Sequence, residues 1–293
     1  MATSREDYVV CTLSAPEGAG EAGAWALWEA GAGGVVEEED EGGGLLLKAF
    51  FPKADWSRIR PGLEALIRRT RVHFPGLSLL EPEELEGSPW QEAWKEFHRP
   101  VIVGPLWIGP PWLAGEAGGD LERLIIDPGQ AFGTGGHETT RLCLRALVGW
   151  ARRGIKGPLL DVGTGSGVLA LAGLRLGLGP VLALDNDPLA LEAARLNARL
   201  NGLEEGLDLR DRQLPTLSQD FPCVLANLTG PLLKELAPDL IRVTRPGGRL
   251  ALSGLLAGER AEVLEAFLPR LELRRMETMG EWAGLVLTRP EPG

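Results

Sequence analysis

The chain has 293 residues, 44% of them hydrophobic, and a formal net charge of −11; that length holds one large α/β domain and a small second one. The acidic balance argues against a chain that grips bare nucleic acid, because phosphate binding requires a basic face, and is compatible with a basic protein substrate. No apolar run reaches membrane length, residues 1–13 lack the basic start and apolar core of a signal peptide, and Cys11, Cys143 and Cys223 have no metal-ligand spacing, which together read as a reduced, cytoplasmic protein without a structural disulfide or metal.

Tyr8 to Leu13 reads as a strand and Glu17 to Ala30 as a helix stopped at Gly31. Val35-Val36 and Leu45 to Phe51 read as strands flanking an acidic, glycine-rich turn, which is expected to be a solvated hairpin tip. Ser57 to Arg71 has Ile59, Leu63, Leu66 and Ile67 at helical spacing, and Leu77 to Leu80 reads as a last strand. The order β-α-β-β-α-β predicts a small α+β, ferredoxin-like domain over residues 1–80, which carries no cofactor motif and is therefore expected to be the part that reads the substrate.

Residues 81–120 are expected to form a polar linker, Pro82 to Pro89, and a connecting helix. Ser88 suits an N-cap with Pro89 in the first turn. Trp90 and Trp94, four apart, share a helix face, and burial is the more usual fate of such a pair. Leu121 to Ile126 is another strand, followed by DPGQAFGTGGHETTR, Asp127 to Arg141. So many glycines directly before a helix suit a loop that closes over a ligand. In it His137 is either a general base or an orienter of backbone, and Thr140 either a helix cap or a contact to a ligand carboxylate.

The stretch LLDVGTGSGVLALAGLRLGLGPVLALDND, Leu159 to Asp187, organises the rest. It reads as a buried strand ending at Asp161, a tight turn at Gly163, Gly165 and Gly167, a helix, and a second strand ending on Asp185. Such a unit holds a nucleoside-containing ligand at the carboxyl ends of its strands. A dinucleotide fold requires G-x-G-x-x-G to seat a pyrophosphate, whereas this pattern is G-x-G-x-G. Beyond it, a helix from about Pro188 is expected to turn Leu189, Ala193, Leu196 and Leu200 inward. Strands follow at Leu207 to Arg210, Cys223 to Ala226 and Arg249 to Ser253, with helices at Leu232 to Val243 and Glu259 to Leu268, and a final hairpin over Leu271 to Thr288.

The glycine turn resembles motif I of class I methyltransferases that use S-adenosylmethionine, and the strand plan after Leu121 is similar to theirs. Four stretches resemble one family, the ribosomal protein L11 methyltransferases (PrmA): WQEAWKEFHRPVIVGPLWIGPPW, DPGQAFGTGGHETT, DVGTGSG and VLANLTGPLL, with Glu281-Trp282 before the last strand. The resemblance covers about residues 85 to 290. It implies a Rossmann-like domain over residues 121–293, with a seven-stranded, mostly parallel sheet ending in a hairpin. It also implies methyl transfer from S-adenosylmethionine to lysine side-chain and N-terminal amines of ribosomal protein L11; charge and hydropathy add the expectation of no direct nucleic-acid or membrane partner, and a monomer is expected. Carried over by position, cofactor contacts fall on Thr140, Gly163, Asp185 and Asn227, with Asp161, Gly165, Gly167 and Phe132 in the same loops; Asn227 and His137 are the candidates for chemistry. The other readings are methylation of another protein or a small amine, a nicotinamide-dependent oxidoreductase on the same strand-turn-helix, and a non-catalytic nucleoside binder.

Overall fold

The computed structural model describes residues 8–16, 18–32, 35–39, 44–72, 74–85, 99–127, 135–211 and 214–291. The expectations for Ser88, Trp90, Trp94 and Phe132 lie outside the described residues. The chain divides into two compact units, Met1–His98 and Arg99–Gly293.

In the first unit, β1 (Tyr8–Ala15), α1 (Gly20–Glu29), β2 (Val35–Glu39), β3 (Leu45–Pro52), α2 (Lys53–Arg71) and β4 (Ser78–Leu79) follow the expected order. The strands pair β2-β3-β1-β4, the ferredoxin-like arrangement. Leu13, Leu27, Leu47, Phe51, Leu63 and Ile67 form a core of its own. The sheet does not stop at Leu80. Glu83–Leu85, inside the stretch read as linker, forms β5 and pairs antiparallel with Tyr8–Val10. β4 covers only Leu13 and Ser14 of β1 and leaves the rest of that edge to be paired.

The second unit opens with a three-stranded sheet: β6 (Val101–Val103), β7 (Leu106–Gly109) and β8 (Glu122–Ile125), with a 3-10 helix at Pro111–Glu116. Residues 101–116, set apart as linker and connecting helix by the sequence, therefore carry two of these strands, and Leu106, Ile108 and Leu124 enter the main core. Next come α3 (Glu138–Arg152), β9 (Leu159–Val162), α4 (Val168–Arg175), β10 (Val181–Leu184), α5 (Pro188–Asn201), β11 (Leu207–Arg210), β12 (Phe221–Asn227), α6 (Gly230–Val243), β13 (Thr244–Leu256), α7 (Arg260–Phe267), β14 (Glu272–Met279) and β15 (Trp282–Thr288). They form a seven-stranded sheet in the order β11-β10-β9-β12-β13-β15-β14. β11 to β13 are parallel and β15 runs antiparallel to both its neighbours. Successive residues of β9 and β12 feed opposite faces: Leu159, Cys223 and Leu225 join the core under α3 and α4, while Leu160, Val224 and Ala226 join the one under α6 and α7. Every residue of β9 and β10 is buried, as parallel strands covered on both faces require.

One helix presents a different face from the expected one. On α5 the buried residues are Ala190, Leu191, Ala194, Asn197 and Ala198, while Leu189, Leu196 and Leu200 are exposed. Both faces are apolar enough to pass as an inner stripe. The one with alanines lets the helix approach closely, and its two asparagines have backbone partners there.

Candidate active site

The order reversal between β9 and β12 places the carboxyl ends of β9, β10 and β12 around one crevice, where open α/β sheets take their ligands. Into it lead Asp161, the glycine turn, Asp185 and Asn227. The turn is built by backbone conformation: Gly163, Gly165 and Gly167 all have positive φ, 75°, 54° and 82°. A Cβ at Gly163 would stand 2.5 Å from Leu228 Cδ2, and one at Gly167 would stand 3.0 Å from Ala194 Cβ. Gly163 N and Thr164 N both donate to Leu184 O at 2.9 Å, pinning the turn to the end of β10.

Asp185 is fixed from two sides. Its Oδ2 accepts from Gly165 N at 2.9 Å and its Oδ1 from Asp187 N at 3.0 Å. Asp187 in turn caps α5 by accepting from Leu189 N. Asp161 is fully buried, and its Oδ2 accepts from Thr164 Oγ1 at 2.7 Å. Its Oδ1 is buried with no hydrogen-bond partner among the described residues. Burial pushes its pKa up to about 6, opposed by the Thr164 hydroxyl and the Ala170 backbone and reinforced by the charge of Asp185.

That elevation has a stability consequence. The unfolded carboxyl ionises near 3.8 and the folded one near 6, so between those values the unfolded state holds fewer protons. Stability therefore falls as pH rises through this window, by about 3 kcal/mol at about 1.36 kcal/mol per unit. Asp161→Asn is expected to remove this part of the pH dependence, read as the difference between the two proteins' urea midpoints from pH 4 to 7. Parallel profiles would assign the slope to other groups.

Across the crevice, His137 is the N-cap of α3. Its Nδ1 accepts from Thr139 N at 3.3 Å and lies 2.8 Å from Thr139 Oγ1. Its ring meets the edge of Trp282 with centroids 5.0 Å apart. Thr140 is buried in the first turn of α3, and Asn227 Nδ2 points to Thr140 Oγ1 at 3.5 Å. The structure thus brings together Thr140 with Asn227, and Asp161, Gly163 and Gly165 with Asp185.

Two residues of the site escaped the sequence reading. Asn197, 1% exposed, donates through Nδ2 to Ser166 O at 2.8 Å and accepts through Oδ1 from Asp127 N at 2.9 Å. It ties the glycine turn to the start of the Asp127 loop. One turn later, Asn201 exchanges two hydrogen bonds with Ile125, donating to its carbonyl at 2.6 Å and accepting from its amide at 2.8 Å, as a neighbouring strand would. The signal available was a pair of asparagines four apart in a helix that, after Pro188, is otherwise made of alanine, leucine and charged residues. Asn197→Ala leaves a buried carbonyl and an amide unpaired. It is expected to lower stability by about 2–3 kcal/mol and to weaken S-adenosylhomocysteine severalfold, measured by urea denaturation and calorimetry. A change under about 0.5 kcal/mol would mean that water replaces both bonds.

Comparison with known proteins agrees with this geometry. The family model described as ribosomal protein L11 methyltransferase (PrmA) matches residues 8–290. The ribosomal protein L11 methyltransferase of Pelobacter propionicus is 40% identical over 252 residues, covering 83% of this chain and 81% of that protein. That of Myxococcus xanthus is 36% identical over 292 residues, covering 97% and 99%. The crystal structure of ribosomal protein L11 methylase from Lactobacillus delbrueckii subsp. bulgaricus superposes with a TM-score of 0.59 at 30% identity, covering 66% of this chain and all of that one. With sequence similarity running almost end to end and a solved relative sharing the sheet, this chain belongs to the ribosomal protein L11 methyltransferase (PrmA) family.

Proposed function

We propose that this protein transfers methyl groups from S-adenosylmethionine to lysine side-chain and N-terminal amines of ribosomal protein L11, in the cytoplasm. The observation that carries the reading is the pairing of a turn with positive φ at Gly163, Gly165 and Gly167 with an acid at the tip of β10, Asp185, and with Asn227 at the tip of β12 beside Thr140 of α3. The G-x-G-x-G spacing of the turn departs from the G-x-G-x-x-G that seats a pyrophosphate on a helix N-terminus, which weighs against a nicotinamide cofactor.

The residues fit S-adenosylmethionine. Asp185 keeps acceptor capacity for the ribose hydroxyls beyond its two backbone bonds. The amino-acid end of the cofactor would be held at the glycine turn, its ammonium by the buried Oδ1 of Asp161 and its carboxylate by Thr140 at the N-terminus of α3. When bound, the cofactor supplies an activated methyl group and a positive charge beside the amine. The chain's part is to bind and orient its substrate and to favour the neutral amine, whose proton leaves to water. A lysine ammonium has a reference pKa near 10.4, so keeping the amine neutral at pH 7 costs about 4.6 kcal/mol. Exclusion of water and a nearby cation lower that pKa without a dedicated base. Asn227, its amide nitrogen directed at Thr140, offers its carbonyl oxygen to the incoming amine. His137, engaged with Thr139, shapes the start of α3 rather than accepting the proton.

The decisive experiment is transfer of labelled methyl from S-adenosylmethionine to purified L11. Incorporation confined to lysine and N-terminal amines supports the proposal, and none would overturn it. Asn227→Ala is expected to lower kcat at saturating substrates by tenfold or more while cofactor affinity changes less. Full turnover in that variant would remove Asn227 from the reaction.

A further inference from the structure

The chain is strongly acidic overall, yet one cavity of its second unit is basic. An open cavity of about 300 Å³ lies against the outer face of α3, with Arg141, Arg145, Arg152 and Arg275 in its wall. Arg141, Arg145 and Arg152 are offset by four and eleven residues, so one face of the helix carries all three. Arg275 reaches the cavity from β14, the edge strand. Among the described residues one carboxylate answers these four: Glu277 lies 3.8 Å from Arg145 and also pairs with Arg275. Arg141 and Arg152 have no ion pair among the described residues, and Arg141 Nε is buried with no hydrogen-bond partner. A buried guanidinium donor without an acceptor is expensive to leave unmade, and two unpaired arginines beside two that share one carboxylate mark a place for an anion.

We infer that this cavity is a binding site for successive phosphate groups, as in a single RNA strand or a polyphosphate chain. Its chemistry suits a row of phosphate groups. The donors are all arginines, whose planar forks engage phosphate oxygens in pairs. Three of them are spread along α3 over about 16 Å, from about 1.5 Å per residue, which a single anionic group cannot span. The −11 average concealed the site because it is confined to a single helix face, and acidic surface elsewhere keeps a polyanion there. The site is separate from the amine's: a basic pocket repels the lysine that the transfer site must admit.

The test is binding of a fluorescent uridine octanucleotide to the full chain, with tripolyphosphate and an octaglutamate peptide as competitors. RNA and tripolyphosphate are expected to bind and to compete, and the peptide is expected not to. The double variant Arg141→Ala/Arg152→Ala should bind RNA at least tenfold more weakly. Its slope of log K against log salt should shrink by about 1.4, at about 0.7 per lost phosphate contact to a single strand. Arg153→Ala, an exposed neighbour outside the cavity wall, should change affinity less than twofold. S-adenosylhomocysteine binding reports that each variant is folded; if the double variant fails that check, Arg152→Ala alone at the exposed helix end is expected to give a threefold or larger loss. Absence of binding to both phosphate probes, binding untouched by the arginine variants, or displacement by octaglutamate as effective as by tripolyphosphate would each overturn the inference. None of these results depends on methyl transfer.

Discussion

Asp185→Ala is expected to weaken S-adenosylmethionine binding by about a hundredfold or more. In the proposed pose two ribose hydroxyls donate to this carboxylate, and hydrogen bonds to a charged group contribute about 1.5–3 kcal/mol each. At about 1.4 kcal/mol per decade, losing both exceeds two decades. The variant also loses the acceptor of Gly165 N and Asp187 N, so the glycine turn is less well held when the ligand arrives. Asp185→Asn separates these effects. It retains an oxygen for one backbone amide and one hydroxyl but no charge, and should fall between wild type and alanine. Calorimetry with S-adenosylhomocysteine reads both. A dissociation constant unchanged in Asp185→Ala would mean that the acid does not touch the ribose.

A chain beginning near Glu86 is expected to bind S-adenosylmethionine with near-normal affinity and to methylate intact L11 with kcat/KM reduced tenfold or more. Every described candidate cofactor residue, from Thr140 to Asn227, belongs to the second unit. The first unit has its own core, built from Val9, Leu13, Leu47, Phe51 and Leu63, and such a unit folds around its own contacts. It carries none of the candidate cofactor residues, so docking of the substrate protein is the role proposed for it. Removing a docking surface forfeits binding energy at a distance from the chemistry, which lowers kcat/KM while the pocket survives. A short lysine peptide should be methylated equally by both chains. Should the shortened enzyme methylate intact L11 as fast as the full one, the first unit is not the substrate reader.

The sequence by itself determined the parts of this protein in which neighbours along the chain constrain one another. The strand, glycine turn, helix and strand from Leu159 to Asp185 were legible because a fully apolar strand, three glycines in positive φ and an acid at the next strand tip are local requirements. The first unit's β-α-β-β-α-β order was legible for the same reason. What needed the tertiary structure were choices between chemically similar alternatives. α5 offers two stripes of comparable hydrophobicity, and only packing against its neighbours decided that Ala190, Leu191 and Ala194 face inward while Leu189, Leu196 and Leu200 stay exposed. The partners of Asn197 and Asn201 lie 70 and 76 residues away at Asp127 and Ile125, beyond the reach of any local pattern. β5 became a strand because β1 had an open edge, not because Glu83-Glu84-Leu85 favours extended structure. The arginines of α3 meet Arg275 only when the sheet brings β14 alongside. A charge summed over the sequence has no direction, and it was the fold that concentrated four positive groups around one cavity of an acidic protein.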